Sequence, residues 1–331
     1  MERAKIRGMP TLAAFAEQFL VDRGAKLKKG TLANYKGLLN THIAPSDGRG
    51  GLKPGCLGTL RLDQVSHQHV AVLHRERKRT PRAANHVLDF LSSLYSEAAA
   101  QSLVEDTFSP GRRVTRYQIQ RRHRFLSETE LARLGQVLAR AETDKTESPY
   151  AIAALRLLIF TGSRRDEILG ARWEWLDMER GFLNLPDSKT GPKTVFLSPP
   201  ALEVLRGLPR VTGNPFIIVG SKKGKRWVNL RKVWVRVRHL ASLGSIASKD
   251  GRFQEVRIHD LRHSYASLLA SGGASLPMIG ALLGHANPST TARYAHLALD
   301  PLRRLSFEAG VRADAALNGR NNLSNGTASE A

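Results

Sequence analysis

The sequence predicts a mainly α-helical fold of two domains, with a small β-hairpin or sheet in the second domain. Three observations predict it. Apolar residues recur at helical spacing along most of the chain. Two short strand-like segments with a turn between them occur only in the C-terminal half. The length of 331 residues corresponds to about two domains of ~150 residues each. We expect domains at 11–107 and 126–312, a basic linker at 108–125, and a disordered tail at 313–331.

The first domain, residues 11–107, is predicted to contain only helices. TLAAFAEQFL, from Thr11, places its large apolar residues on one helix face. A second helix is expected to begin with Thr31 as its cap. Five glycines and two prolines between positions 45 and 58 predict a loop. Two further helices are predicted at 66–78 and 81–100, the second with proline in its first turn.

The second domain is predicted to begin with a capped helix, because SETE from Ser127 is a capping-box pattern. An apolar helix, SPYAIAALRLLIFTG, follows and ends near Gly162. GFLNLP and KTVFLS are expected to pair as a hairpin through DSKTGPK, whose Gly-Pro step marks a turn. The remaining predicted helices are at 201–207, 229–243, 259–271, 276–283 and 289–297.

A large excess of positive charge indicates a polyanionic partner. Lys and Arg number 51 against 29 Asp and Glu, a net charge of +22. Such an excess attracts duplex DNA, whose counterions are released on binding, although composition alone does not distinguish DNA from RNA. The linker arginines are candidate contacts to DNA phosphates, with a solvated charge run as the alternative: Arg112, Arg113, Arg116, Arg121, Arg122 and Arg124. Basic residues of the helix near Val233 are further candidates, for which a solvated helix face is an equal alternative: Arg231, Lys232, Arg236 and Arg238.

The single cysteine and the hydropathy pattern exclude several classes of protein. Cys56 cannot form an intrachain disulfide or a cysteine-based zinc site. No apolar run approaches the roughly 18 residues of a membrane span, and the N-terminus lacks the apolar core of a secretory signal. These observations predict a cytoplasmic protein without a membrane partner.

Two patterns in the second domain place cations where chain turns are expected. In TGSRRDEILGARW, Arg164 lies between two helices, and Glu167 lies three residues later, where it can orient the guanidinium. An arginine fork suits two phosphate oxygens, although a surface ion pair has the same spacing. Lys189 lies in the hairpin turn DSKTGPK, from which it can reach a groove or simply remain solvated.

Two further patterns contain histidines. In HDLRHSYA, His259 and Arg262 are neighbours on one helix face, which pairs a proton-transfer group with a phosphate ligand. The adjacent His263 is expected to point elsewhere and to be structural. In LLGHANPSTTARYAHL, His285 follows a glycine, and chain breaks before Tyr294 allow both side chains to approach one point.

Each pattern alone is weak, but their order and spacing closely resemble the tyrosine site-specific recombinases, the phage integrase family. The resemblance covers nearly the whole chain and implies a helical core-site-binding domain and a catalytic domain that close on DNA as a two-domain clamp. Ser163 and Arg165 stand where other members often carry different residues. The positions that match the family's catalytic residues are Arg164, Lys189, His259, Arg262, His285 and Tyr294.

The resemblance implies that Tyr294 attacks a DNA phosphate and forms a 3′-phosphotyrosyl bond while a 5′-hydroxyl leaves. Arg164 and Arg262 would hold the non-bridging oxygens, and His285 would add a hydrogen bond. This route is metal- and ATP-independent, because these cations supply the positive charge that many nucleases obtain from Mg²⁺; we therefore expect no metal and no cofactor.

The resemblance also assigns the proton transfers. Lys189 would protonate the leaving 5′ oxygen, and His259 would help to accept the tyrosine proton. Partners implied are a double-stranded DNA site, a homotetramer on paired sites built through the last helix, and in some systems an excision factor or DNA-bending protein. The role favoured is integration and excision of a mobile element.

Several alternatives stay open at this point. A catalytically silent DNA-binding or architectural protein on the same scaffold would have lost the tyrosine or an arginine, and neither is lost. Chromosome dimer resolution of the Xer type would use the same chemistry. A type IB topoisomerase shares the tyrosine, but the helical N-terminal domain and the length favour a recombinase. A metal-dependent nuclease lacks its carboxylate cluster here.

Overall fold

The structure is a computed structural model that describes residues 8–119, 124–244, 246–247 and 253–317. The chain divides between residues 122 and 123 into two compact units, and each unit has its own hydrophobic core. The predicted fold class, mainly α with a small antiparallel sheet, is confirmed. Within the described residues, no helix is both long enough and apolar enough to cross a lipid bilayer.

Among its described residues, the first unit contains four α-helices. Thr11 caps the first of them by accepting a hydrogen bond from the amide of Ala14. Phe90, Leu91, Leu94 and Tyr95 of the fourth helix are fully buried at the centre of the core. The helices are α1 (Leu12–Asp22), α2 (Lys29–Leu38), α3 (His67–Glu76) and α4 (Pro81–Ala100).

The second helix begins earlier than its sequence predicts. The amide of Thr31 bonds to the carbonyl of Lys28 at 2.8 Å, so Thr31 lies inside the first turn and does not cap it. At its other end the helix continues as a π-helical turn, Leu39–Ile43. The prediction of Thr31 as the cap was wrong, because Lys28 is the N-cap residue and its carbonyl accepts the first backbone bonds of the helix.

Residues 108–119 pack on the first unit. Tyr117 stacks on His74 with ring centroids 4.3 Å apart. Asn85 binds the backbone of Tyr117 twice, donating to its carbonyl at 2.8 Å and accepting from its amide at 3.1 Å. The first two-thirds of the predicted linker is therefore held against α3 and α4.

The second unit surrounds the apolar helix predicted at its centre. The expected capping box is present, with Ser127 and Glu130 each bonding the other's backbone amide. The elements are α5 (Glu128–Thr143), α6 (Pro149–Thr161), α7 (Arg165–Leu169), β1 (Leu176–Asp177), β2 (Phe182–Leu185), β3 (Lys193–Phe196), α8 (Pro199–Arg206), α9 (Leu230–Leu240), β4 (Ile246–Ala247), β5 (Phe253–Gln254), α10 (Ile258–Ser271), α11 (Leu276–Leu283) and α12 (Leu299–Leu317).

The predicted hairpin is part of a three-stranded antiparallel sheet in the order β1-β2-β3. Leu183 of β2 is opposite Val195 of β3, and both side chains point into the core. β1 was not predicted, because two residues are too few to show an alternating pattern. The sheet sets where the β2–β3 turn, which carries Lys189, meets the helices.

The segment before the last helix is not the α-helix predicted at 289–297. It forms 3₁₀ turns at Pro288–Thr290 and Ala292–Ala298. The amide of Tyr294 bonds to the carbonyl of Thr291, three residues back, at 2.9 Å. α12 then continues to Leu317, five residues into the segment predicted as tail; residues 318–331 lie outside the described residues.

Candidate active site

A left-handed glycine positions the first arginine. α6 ends at Gly162, which has φ 60°, and a Cβ there would lie 2.3 Å from Cδ1 of Tyr265. The chain therefore turns sharply in a space that only glycine fits. Two residues later Arg164 occupies the cap position of α7, with its side chain directed into the site.

Glu167 is a buried anion that joins two cations. Its carboxylate accepts hydrogen bonds from the amide of Arg164 at 2.9 Å and from its Nη1 at 2.7 Å. Nζ of Lys193 lies 3.3 Å from Oε2, the same carboxylate oxygen that accepts from the Arg164 amide. The Glu167 side chain is 6% exposed. Burial raises the pKa of Glu167, but Lys193 and Arg164 outweigh that effect and hold the pKa below its ordinary value.

The C-terminal end of α11 collects cationic side chains. The carbonyl of Leu283 accepts from Nη2 of Arg262 at 2.7 Å and from Nζ of Lys193 at 3.3 Å. The carbonyl of Gly284 accepts from Nη2 of Arg164 at 3.1 Å. The last carbonyls of a helix lack helical partners and carry partial negative charge, so they favour cations. Three cations are thereby held on one small surface.

Arg262 is the most enclosed of these cations, at 4% exposed. Its Nη1 donates to the carbonyl of Gly162 at 2.8 Å, so Arg262 links the ends of α6 and α11. These two bonds use two of the five N–H donors of a guanidinium. Burial, followed by the positive charge of Arg164, lowers the pKa of Arg262 to about 10, which leaves it charged at neutral pH.

His285 follows α11 and is fixed by a buried threonine. Its Nδ1 lies 2.8 Å from the hydroxyl of Thr291. Burial, and then the charges of Arg262 and Arg164, lower the pKa of His285 to about 4. His285 is therefore neutral at physiological pH, and its Nε2 is the ring nitrogen left for a substrate.

Lys189 lies in the β2–β3 turn, as predicted from DSKTGPK. Ser188 and Gly191 close the turn through paired backbone bonds of 3.0 and 3.3 Å. The next residue, Thr190, donates its hydroxyl to the carbonyl of Gly284 at 3.3 Å. This bond ties the turn to the same helix end that holds the arginines.

Tyr294 contacts His263, which was expected from the sequence to be structural. Nδ1 of His263 lies 2.5 Å from the Tyr294 hydroxyl oxygen, and Nε2 of His263 lies 3.4 Å from Nη1 of Arg293. His259 packs on the His263 ring at 5.1 Å between centroids. The expectation that His263 points elsewhere was wrong: adjacent to Arg262, it is also four residues from His259, and i,i+4 spacing places the two rings on one face.

Lys193 was also missed, although the sequence held a signal for it. In a strand, alternate residues share a face, and Lys193 shares its face with the buried Val195. Its side chain is 7% exposed. Burial lowers the pKa of Lys193, while Glu167 opposes that shift. A lysine on the inward face of a short strand indicates a partner in the interior.

The candidate DNA contacts differ in their surroundings. Arg112, Arg113, Arg231 and Lys232 are exposed, whereas Arg116 pairs with Asp89, Arg236 with Glu147 and Arg238 with Glu255. Arg121 and Arg122 lie outside the described residues. Arg124 is 4% exposed and pairs with Glu130 at 2.6 Å. The expectation that Arg124 is one of the linker's candidate DNA contacts was therefore wrong, because its guanidinium is buried in an ion pair.

Other features of the chain add no ligand to this site. Cys56 is partly buried in the first unit, where its thiol is free. Among the described residues, no group of three or more His, Cys, Asp or Glu side chains is arranged to hold a metal ion. The groups that act on Tyr294 include His263, Arg293, Arg262 and Asp260.

Known proteins resemble the chain in sequence and in fold. A tyrosine recombinase XerC of Xylella fastidiosa (strain M23) is 30% identical over 174 residues, which are 51% of this chain and 56% of the relative. The chain thus spans little more than half the length of that curated relative. A transposon Tn1549 integrase in complex with a circular intermediate DNA superposes with TM-score 0.65 at 16% identity, covering 91% of this chain and all of the other.

A lambda integrase tetramer bound to a Holliday junction superposes with TM-score 0.65 at 20% identity, covering 89% of this chain and 80% of the other. At these identities the likeness concerns the fold. The model of the phage integrase family matches residues 124–300, more than half of the chain, and this range contains all six residues selected from the sequence. The chain therefore belongs to the phage integrase family, the tyrosine recombinases.

Proposed function

We propose that this chain cleaves and rejoins duplex DNA through a 3′-phosphotyrosyl bond to Tyr294. The observation that carries the proposal is the convergence of Arg164, Lys193 and Arg262 on the carbonyl end of α11, next to His285. Arg262 is also close enough to Tyr294 for its charge to lower the tyrosine pKa. A cationic surface beside a nucleophile suits a phosphodiester.

The arginines would stabilise the charge that develops on phosphorus-bound oxygen. Backbone carbonyls and Glu167 orient both guanidinium groups before DNA arrives, so little reorganisation is needed at the moment of reaction. Neutral His285, with Nδ1 engaged by Thr291, would donate from Nε2 to a non-bridging oxygen. These roles match those that the family resemblance assigns to the same residues.

Lys189 would supply the proton for the leaving 5′ oxygen. Its turn is tied to Gly284 through Thr190, so the lysine would approach the phosphate from the sheet side. His259, whose ring packs on that of His263, would help to accept the tyrosine proton. In the rejoining step the same groups act in reverse, because a 5′-hydroxyl then attacks the phosphotyrosine.

We propose that each unit contributes one part of a DNA clamp. The first unit would bind the core site, with the exposed arginines Arg112 and Arg113 on phosphates. The second unit would carry the chemistry. The net charge of +22 supports strong attraction to duplex DNA.

Assembly of several protomers is proposed from the last helix. α12 exposes Leu302, Leu305, Phe307 and Val311, each more than half exposed. An apolar helix surface of this kind gains free energy when a second protomer covers it. The lambda integrase tetramer on a Holliday junction supports four copies on two paired sites.

The biological role we propose is integration and excision of a mobile element, which the likeness to a transposon integrase supports. Chromosome dimer resolution is the second candidate, supported by the XerC relatives. The two differ in their DNA sites. A test places the DNA that flanks the gene on two plasmids and sequences the junctions formed in cells with the protein. Junctions within the flanking DNA support the mobile-element role, whereas junctions only at a chromosomal dimer-resolution site contradict it.

A further inference from the structure

The Tyr294 oxygen lies among donors that the proposed mechanism does not use. His263 contacts it at 2.5 Å through Nδ1. Arg293 reaches Nε2 of the same ring at 3.4 Å, and a hydrogen bond from Arg293 to the phenol also lowers the pKa of Tyr294. The Tyr294 side chain is 4% exposed. His263 and Arg293 are therefore polar neighbours of the buried oxygen, together with Arg262 and Asp260, whose charges also act on its pKa.

The contact with Arg293 assigns the proton on His263. A guanidinium is always a donor, so Nε2 of His263 must offer its lone pair. The single proton of the neutral ring then sits on Nδ1 and points at the Tyr294 oxygen. Burial, together with the charges of His259, Arg293, Arg262 and His285, lowers the pKa of His263 to about 3, which keeps the ring neutral.

A neutral ring with a very low pKa is a poor acceptor for the tyrosine proton but a good donor to a tyrosine anion. Burial, with Asp260 acting in the same direction, raises the pKa of Tyr294 above its ordinary value, and Arg293 and Arg262 limit that rise. Donors aimed at the oxygen stabilise its ionised form more than its neutral form. The arrangement is therefore that of a small oxyanion site around the phenol.

We infer that His263 and Arg293 form a donor pair that holds the Tyr294 oxygen as phenolate, both when it attacks DNA and when it leaves. The inference rests on the proposed role of Tyr294 as nucleophile. In cleavage, the hydroxyl proton passes to His259, the proposed base. The phenolate lone pair then forms the O–P bond while the P–O5′ bond breaks, and the 5′ oxygen takes a proton from Lys189.

With this donor pair, each oxygen that changes charge in the reaction has its own group of side chains. Arg164, Arg262 and His285 face the non-bridging oxygens, Lys189 serves the 5′ oxygen, and His263 with Arg293 serves the tyrosine oxygen. On rejoining, the phenolate is the leaving group, so the same two donors accelerate that step as well. Both directions of a reversible strand exchange then have a stabilised phenolate.

The first test measures ionisation of Tyr294 without DNA, by tyrosinate absorbance titration of the full chain minus the titration of Tyr294→Phe. His263→Phe keeps a ring but removes the donor, and it should raise the Tyr294 pKa by about one unit or more. His263→Asn keeps an N–H near the Nδ1 position, so its Tyr294 pKa should lie within about half a unit of the wild-type value. Arg293→Gln should shift the pKa in the same direction as His263→Phe.

The second test measures the pH dependence of adduct formation on a nicked suicide substrate. His263→Phe should slow the reaction at least tenfold at pH 7 and regain rate as pH rises, with unchanged DNA affinity. Should His263→Phe fail to fold, Arg293→Gln carries both comparisons. An unchanged Tyr294 pKa, or a slow rate that does not recover at high pH, overturns the inference. If the variants shift the Tyr294 pKa as expected but wild-type protein forms no adduct, the proposed function is contradicted while the inference about the donor pair is supported.

Discussion

At the scale of single residues, the site depends on one buried carboxylate. Glu167 is the anion between Arg164 and Lys193, and all three are largely withdrawn from water. Removing one partner of a buried ion pair leaves the other charge uncompensated, which costs far more than breaking a surface pair. Glu167 therefore supports both the fold and the orientation of Arg164.

We predict that Glu167→Gln lowers the free energy of unfolding by about 3 kcal/mol at neutral pH. All four tryptophans lie in the second unit, so their fluorescence during denaturant unfolding reports it. Folding lowers the pKa of Glu167. The contribution of Glu167 to the free energy of unfolding is therefore complete above the ordinary pKa of 4.5, and it is lost as pH falls through the folded-state pKa. The difference from wild type should therefore shrink below about pH 4.5.

The control is Glu203→Gln, which breaks a pair with Arg206 in which both side chains are mostly exposed. Exposed pairs of this kind contribute between about 0 and 1 kcal/mol, so this variant should unfold almost as the wild type does. An equal decrease in the free energy of unfolding of the two variants would show that the buried Glu167 stabilises the fold no more than an exposed ion pair does.

The sequence predicted much of this site because arginine, histidine and tyrosine stood at diagnostic spacings. Arg164 with Glu167 followed from helical neighbours three apart, and the contact is present at 2.7 Å. His263 and Lys193 were missed because their partners are distant in the chain: Tyr294 is 31 residues from His263, and Glu167 is 26 from Lys193. Local patterns do not encode contacts of that kind.

At the scale of elements, the junction between α6 and α7 controls the site. Gly162 both permits the turn and offers its carbonyl to Arg262. Element types were predictable wherever periodicity was strong, as in α4, α6 and α11. Pro288–Thr290 and Ala292–Ala298 were not, because 3₁₀ and α turns share similar apolar spacing over one or two turns.

We predict that Gly162→Ala destabilises the second unit by at least about 2 kcal/mol and impairs adduct formation, because it adds a steric overlap with Tyr265 to the cost of a positive φ. Gly213→Ala is the matched control, since Gly213 has φ 75° and open space around it. Its free energy of unfolding should fall by only about 1 kcal/mol. Similar losses in both variants would mean that the overlap at Gly162 is relieved by a movement of Tyr265.

At the scale of the whole molecule, assembly on DNA is expected to depend on α12. Leu302 and Leu305 lie three residues apart on this helix and are 58% and 55% exposed. The double variant Leu302→Ser with Leu305→Ser should unfold like wild type and bind one site normally. It should form at least tenfold less paired-site complex, measured by gel mobility with two site-bearing DNA fragments.

Glu308→Ser, on the same exposed helix, is the control and should assemble as wild type does. Normal pairing by the double leucine variant would contradict the proposed use of α12. The proposed tetramer would be held by contacts between copies, and a single chain shows these only as exposed apolar side chains on α12.

The central claim is that Tyr294 becomes covalently joined to DNA, and one assay tests it most directly. Wild-type protein and Tyr294→Phe are incubated in EDTA with a suicide substrate from the DNA that flanks the gene, and adducts are resolved under denaturing conditions. We expect wild-type protein to form an adduct that survives denaturant, and Tyr294→Phe to form none. Tight binding without any adduct, or an adduct that persists in the variant, would contradict it.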